Sequence, residues 1–375
     1  EAAIYLRKNE LDVTLVSDRD YFYIYPTSIW IPTGGATKED VSIPLDNLAM
    51  KHGFTLIVDP VTQFEAKEKK VTLQSGRILE GYDYIVTALG QDKIQHPGME
   101  HTLSICGKPE EATMLHERLN ALIDKGEGKI AIGFGGNPKD TSAVRGGPAF
   151  EVLFNIDHLL KKKQLRDRFT LTFFAPMEKP GAKMGEKALY MMDKMFKMYN
   201  IQTKIGSKIT RFENDGICFD DETKLDSDLT MFISAGTGHS ILASSGLPLS
   251  DTGFVVTNEY NEVEGFEDIY AIGDSASLMG PEWRAKQGHV AEVMARNTAY
   301  NIFQRTQNID SKLSYIEHLN ILCVMDTGSG AAFVYRDNKG GKMIPLPLIG
   351  HWMKKGWGWY CKHSKLGNIP RLPGM

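Results

Sequence analysis

The sequence predicts an α/β protein built on parallel sheets. Three observations carry this. Ile269-Tyr270-Ala271-Ile272-Gly273-Asp274 is an apolar strand that stops at Gly-Asp, and Asp83-Tyr84-Ile85-Val86-Thr87-Ala88-Leu89-Gly90 is another that ends in small residues. The third, Lys129-Ile130-Ala131-Ile132-Gly133-Phe134-Gly135-Gly136-Asn137-Pro138, runs from a strand into a glycine loop. Glycine at a strand end lets a ligand approach the backbone, and a carboxylate there can accept a hydrogen bond from a sugar hydroxyl. Ala88, Gly90, Gly273 and Asp274 are therefore candidate cofactor contacts.

The elements follow in order. Residues 1–8 read as the end of a helix, and Val13-Thr14-Leu15-Val16-Ser17-Asp18 as a buried strand with Asp18 as a candidate ribose contact. Helix then strand is the second half of a βαβ unit, whose Gly-rich phosphate loop should come just before the helix. That loop is not in the sequence, so the first strand and loop of this domain are expected to be missing from it. Residues 54–58 and 70–73 read as strands around a turn, and 98–107 as a linker. A helix is expected from 109 to about 122, because Pro109, Glu110 and Glu111 suit a first turn with orphan N–H groups. Further helices are expected at 147–162, at 186–199, where four Met residues read as core filler, and from Gln287 to about 304. Strands are expected at 169–174, at 229–234 returning to the first sheet, and at 322–326 and 331–336.

Composition narrows the classes. The chain has 375 residues and a net charge of −4, which gives no reason to expect nucleic acid. Lys161, Lys162 and Lys163 with Arg166 and Arg168 read as a solvated helix end. Four widely spaced Cys without a C-x-x-C pair do not resemble a metal site or a secreted disulfide framework. They suit a reducing compartment in which one or two thiols react. No apolar run reaches the roughly 18 residues that span a bilayer.

The ordered strand ends at 90 and 273–274 resemble the two-dinucleotide-binding-domain flavoproteins, in which an FAD domain is interrupted by a second nucleotide-binding-like domain. The likeness narrows to the sulfide:quinone oxidoreductase and flavocytochrome c sulfide dehydrogenase flavoprotein family. It rests on residues 13–22, Ser104-Ile105-Cys106, Gly147-Pro148-Ala149-Phe150-Glu151, Lys286-Gln287-Gly288 and Cys323-Val324-Met325-Asp326-Thr327-Gly328 with Ala331-Ala332-Phe333. It implies two Rossmann-like (FAD/NAD(P)-binding) domains, the first discontinuous, plus a C-terminal membrane-facing segment. The expected divisions are 1–97 and 226–305 for the FAD domain, 98–225 for the second domain, and 306–375 for the flavin-covering, membrane-anchoring segment.

The resemblance also implies roles. FAD would be the cofactor, quinone the acceptor, and sulfide or another sulfur species the donor. Cys323 matches the family cysteine over the flavin, and Cys106 an earlier one found in some members. The middle family cysteine is absent, and Arg145 or a neighbour stands there. Either Cys106 pairs with Cys323, or one thiol suffices; Cys323 also reads as an ordinary buried strand cysteine. Gln287 and Gly288 open a helix whose start suits an anionic reduced flavin, and Lys286 adds a charge beside it. Glu151 either relays a proton to quinone or complements its own helix start.

The second glycine loop departs from a dinucleotide site. Gly133 and Gly135 fit, but Pro138 takes the third position, and Ala175-Pro176 follow the next strand where an acid should bind ribose. The tail supplies another signal: Trp352, Trp357 and Trp359 are interleaved with Lys354 and Lys355. Trp favours the headgroup level and Lys snorkels to water, so the tail reads as a monotopic anchor in one leaflet. The implied location is peripheral, at a prokaryotic inner membrane, with no indication of the face. Packing against a partner or a second copy in a homo-oligomer is the other reading of this tail. Two other function classes stay open: a type II NADH:quinone dehydrogenase-like enzyme, and a catalytically lapsed interaction subunit.

Overall fold

In the computed structural model, which describes residues 1–371, seven α-helices surround short parallel sheets. They are α1 (Ala2–Lys8), α2 (Leu45–His52), α3 (Pro109–Lys125), α4 (Gly147–Lys162), α5 (Glu186–Met198), α6 (Gly288–Thr306) and α7 (Ile349–Lys365). The largest sheet is parallel, in the order Gln202–Ile205, Phe169–Ala175, Gly128–Phe134, Leu229–Ile233. Its two faces bury alternate residues. Ile130, Ile132, Leu171 and Phe173 pack with α3, α4 and α5, whereas Ala131, Phe174 and Phe232 pack on the antiparallel strands Ile209–Glu213, Gly216–Phe219 and Lys224–Asp226.

Three expectations are corrected here. Leu229–Ile233 does not return to the first sheet; it pairs in parallel with Gly128–Phe134, because all five of its side chains are buried between the layers of the second sheet. Thr55–Val58 and Lys70–Leu73 do not pair with each other. The first pairs in parallel with Thr14–Ser17 and the second forms a hairpin with Val61–Glu65. The α5 methionines are only partly core: Met192 and Met195 are buried, but Met198 points to solvent.

The strands that carry the candidate cofactor residues form two parallel pairs, Thr14–Ser17 with Thr55–Val58 and Ile85–Thr87 with Ile269–Ala271. Helix α6 covers the second pair, placing Val290 and Met294 on Ile269 and Ala271. Both ends of α3 follow local chemistry. Pro109 opens it, Glu111 completes a capping box, and Gly126 closes it at φ +88°.

The C-terminal part is an antiparallel sheet, Ile321–Asp326, Gly330–Asp337 and Gly340–Pro347, followed by α7. Gly350, Lys354, Gly358, Cys361 and Lys365 form the buried stripe of α7, at helical spacing. A Cβ on Gly358 would stand 2.6 Å from Thr27 Cγ2, so the glycine lets α7 lie close to the turn Tyr25–Trp30. The opposite side of α7 is apolar and open: Trp352 is 70% exposed and Trp359 58%, with Ile349 and Met353 also exposed.

Candidate active site

Strand Ile321–Asp326, helix α4 and helix α7 meet around Glu151, and their contacts build the site. Glu151 is the fifth residue of α4, past the first turn, and is 3% exposed. Its Oε1 accepts the Asp326 backbone N–H at 2.8 Å and pairs with Lys354 Nζ. Helix-start complementation is therefore not its role; a buried carboxylate needs partners, and these come from two other elements. Burial pushes the Glu151 carboxyl above its ordinary value, with Lys354 opposing.

Lys354 is accordingly not a membrane-facing lysine. It lies on the inner stripe of α7 and is 5% exposed, which corrects its assignment to the anchor. Lys355 stays partly exposed, its Nζ 5.6 Å from the ring centres of both Trp30 and Trp352.

Asp326, completely buried, accepts from His351 Nδ1 at 2.6 Å and from the Gly328 backbone N–H at 2.8 Å. Asn155 donates to the Glu151 carbonyl at 2.8 Å, one turn along α4. The result is two acid–base pairs, Glu151 with Lys354 and Asp326 with His351, one helical turn apart on α7.

Cys323 is half-buried on the same strand as Asp326. Burial pushes its thiol up to about 12, the Glu151 charge adds to the rise and Lys354 opposes it. Cys106 is buried and sits in a loop held by Glu111, whose side chain accepts the Ser104 backbone N–H at 3.1 Å. Its thiol is also raised by burial, with Lys93 and Arg145 opposing and Glu151 adding to the rise. Both thiols thus feel Glu151, and both are free rather than joined in a disulfide.

The candidate cofactor residues form a second cluster, joined to the Cys323 strand through Gln287, whose Oε1 accepts the Leu322 backbone N–H at 3.4 Å. Gly90 has φ +76° and open space where a Cβ would stand; its N–H donates to Ser275 Oγ at 2.9 Å. Ala88, just past Ile85–Thr87, is exposed. Gly273 has φ +61°, and Asp274 beside it forms an ion pair with Arg145. Gln287 is the residue before α6, and no side chain among the described residues caps that end. Instead Gln287 Nε2 donates to the Asn320 carbonyl at 3.0 Å, and the Cβ position of Gly288 is open. Uncapped N–H groups beside an open glycine fit an anionic group. Asp18, just past Thr14–Ser17, is exposed and pairs with Arg19 at 3.2 Å.

Lys286 is buried, not solvent-facing. Its ammonium donates to the Asp274 and Ala276 carbonyls and lies 3.8 Å from the Phe254 ring centre. Burial pushes it down to about 7; Asp140 opposes, and Arg145 and Arg284 add to the fall. The unfolded amine titrates at 10.5, so folding favours the neutral form. Lys286 is harmless above 10.5, costs progressively more as pH falls to about 7, and costs a constant amount below that. Lys286→Met is expected to raise the melting temperature of the flavin-free chain most at pH 7 and below, with the gain fading toward pH 10.5. Melting curves across that range check this; a gain that grows with pH would contradict it.

Asp326, His351, Asn155 and the Arg145–Asp274 pair had no role in the sequence reading. Two signals were present: Asp326 ends the Cys323 strand, and His351 lies three residues before Lys354 on a helix.

Among known proteins, the family model described as pyridine nucleotide-disulphide oxidoreductase matches residues 1–296. Sulfide-quinone reductase of Aquifex aeolicus is 26% identical over 350 residues, covering 88% of this chain and 78% of that protein. Type II NADH:quinone oxidoreductase of Staphylococcus saprophyticus is 24% identical over 363 residues, covering 89% and 86%. The X-ray structure of the Aquifex aeolicus sulfide:quinone oxidoreductase superposes with a TM-score of 0.86 at 23% identity, covering 98% of this chain and 89% of that one.

Proposed function

Because the chain belongs to the pyridine nucleotide-disulphide oxidoreductase family, we propose that it is an FAD-dependent oxidoreductase that passes electrons to quinone at a membrane surface, with sulfide or a related sulfur species as donor. The observation that carries this reading is the placement of Cys323 beside a buried acid–base network under an exposed tryptophan face. Likeness to sulfide-quinone reductase over most of the chain supports the donor, and likeness to both relatives supports the acceptor.

The strand ends at Gly90 and Gly273–Asp274 together with the open start of α6 fit FAD. Gly90, Gly273, Asp274, Gln287 and Gly288 would hold it, with Ala88 lining the approach and Asp18 at a ribose. When bound, it would supply a two-electron carrier. Cys323 would take up hydrosulfide: its S–H bond breaks and an S–S bond forms, so that Cys–SH and HS⁻ give Cys–S–SH, one proton and two electrons, which FAD would accept when bound. Glu151, whose carboxyl burial has raised, is the base for that proton, and Cys106 is a second station for sulfur. Lys286, buried against Asp274, would stabilise negative charge near the carrier.

Membrane contact rests on α7. No helix among the described residues is long and apolar enough to cross a membrane. The outward Trp352, Trp357 and Trp359 with Ile349 and Met353 suit a helix lying in the interface.

The NADH reading has less support. Between Phe134 and α4 the chain makes a turn at Thr141–Ala143, and the buried Asn137 ties the loop by donating to the Gly236 carbonyl at 2.9 Å. A pyrophosphate site needs a short glycine turn running directly into its helix. The test is anaerobic bleaching of the FAD-loaded protein by sulfide and, separately, by NADH, each followed by a quinone analogue. Bleaching by sulfide and recovery with quinone is expected; bleaching by NADH alone would sink the sulfur reading.

A further inference from the structure

Reducing a quinone to the quinol adds two electrons and two protons. A carrier that delivers a hydride equivalent leaves one proton for the protein to supply. His351 is built for that task. Its Nδ1 is committed to the buried Asp326 carboxylate at 2.6 Å, which fixes the tautomer and leaves Nε2 to exchange a proton. The side chain is 18% exposed, so it is reachable. Its ring meets the edges of two indoles, Trp30 at 5.8 Å and Trp352 at 5.7 Å between centres.

Trp30 supplies an independent sign of a ligand. It is 5% exposed, and its Nε1–H has no hydrogen-bond partner among the described residues. A buried, unmatched donor is costly, and a carbonyl acceptor would satisfy it. Two indole edges, one orphan N–H and one oriented imidazole match the chemistry of a planar, apolar ring bearing carbonyl oxygens.

On the quinone reading given above, we propose that His351, oriented by Asp326, is the proton donor to one quinone oxygen, and that Trp30 Nε1–H is a second donor to the same substrate. Nε2 takes a proton from the surface, and Asp326 balances the imidazolium charge. As the electron pair reaches the quinone, the Nε2–H bond breaks and the quinol O–H bond forms, returning His351 to neutral. The other charged and titratable groups around His351 are Glu151 and His158 on α4, and Lys354 and Lys355 on α7. Cys323 shares the strand of Asp326. Glu151 and Lys354 neutralise each other, so the proton need not come from either.

The test uses the FAD-loaded full chain, reduced anaerobically with one equivalent of dithionite so that the natural donor plays no part. Stopped-flow reoxidation is followed with a short-chain ubiquinone and with ferricyanide, which takes electrons without protons. His351→Gln is expected to slow the quinone phase about 10²-fold, to flatten its pH dependence, and to leave the ferricyanide phase intact. Added imidazole should restore part of the lost rate. Trp30→Phe should raise the quinone concentration at half-maximal rate several-fold while keeping the limiting rate and pH profile. A quinone phase in His351→Gln with unaltered rate and pH profile would overturn the proposal. Reoxidation of the unsubstituted protein by ferricyanide but not by quinone would overturn the quinone reading itself, and this role with it. A readout free of turnover is the ¹⁵N spectrum of the imidazole: an Nδ1-protonated tautomer lost in Asp326→Asn is expected, and an Nε2-protonated tautomer in the unsubstituted chain would refute the assignment.

Discussion

Exchange of Cys323 for serine is expected to slow anaerobic bleaching by sulfide about 10³-fold or more while leaving FAD bound. On the proposed mechanism a hydroxyl at this position cannot form the S–S bond that carries sulfur, and Cys106, buried in its loop held by Glu111, loses the thiol it would exchange sulfur with. The same environment that makes Cys323 useful makes it quiet at rest. Burial and the Glu151 charge push its thiol up to about 12, so little thiolate is present near neutral pH. Alkylation of Cys323 by iodoacetamide, followed by the mass of its peptide, should therefore climb with pH throughout the neutral and mildly alkaline range. Glu151→Gln removes the carboxylate that raises the thiol and should speed alkylation at a fixed pH. Unaltered sulfide bleaching in Cys323→Ser would remove this residue from the chemistry.

The second large effect concerns stability. Lys354→Met is expected to destabilise the fold by about 3–5 kcal/mol at neutral pH, because it leaves Glu151 buried without its counter-charge. The loss has a definite pH dependence. Burial already raises the Glu151 carboxyl, and removing Lys354, which opposes that rise, raises it further. A group bound more tightly to its proton in the folded state contributes stability that is present at low pH and lost as pH rises through the folded value. The Lys354→Met penalty should therefore shrink on acidification, where Glu151 is neutral in both states. The double variant Glu151→Leu with Lys354→Met should recover much of the loss, since a buried ion pair replaced by apolar groups is often neutral. Denaturant melts at several pH values distinguish these outcomes; a penalty independent of pH would mean that lost packing, not unpaired charge, is responsible.

Much of the fold was legible because it is written in local chemistry. Apolar strands that end in glycine, and Pro109 with two acids at a helix start, need no tertiary knowledge. What misled was pairing. Leu229–Ile233 reads as a buried strand whichever sheet takes it, and only its register with Gly128–Phe134 assigns it. Thr55–Val58 and Lys70–Leu73 likewise look like a hairpin in sequence, yet a third strand at Val61–Glu65 takes the partner's place.

The site divides in the same way. Cys323, Glu151 and Lys286 stood out through the motifs around them. Alternation of Lys with Trp suggests one amphipathic surface, whereas the spacing of Lys354 from Gly350 and Gly358 puts it on the opposite side of α7. Asp326 stands within the Cys323–Gly328 motif, and His351 directly precedes Trp352. Their partnership spans 25 residues and two elements, a contact that no local pattern encodes.

The glycine stripe of α7 has a geometric consequence. Because Gly350 and Gly358 let the helix rest directly against Ala331 and Thr27, nothing separates the interior from the tryptophan side except the helix itself. α7 is thus a spacer of fixed gauge, about 10 Å thick. If its outer side lies in lipid, the depth of the bilayer and the height of Glu151 are set by one and the same element. On the proposed reading, a quinone head would have a single helix thickness to climb.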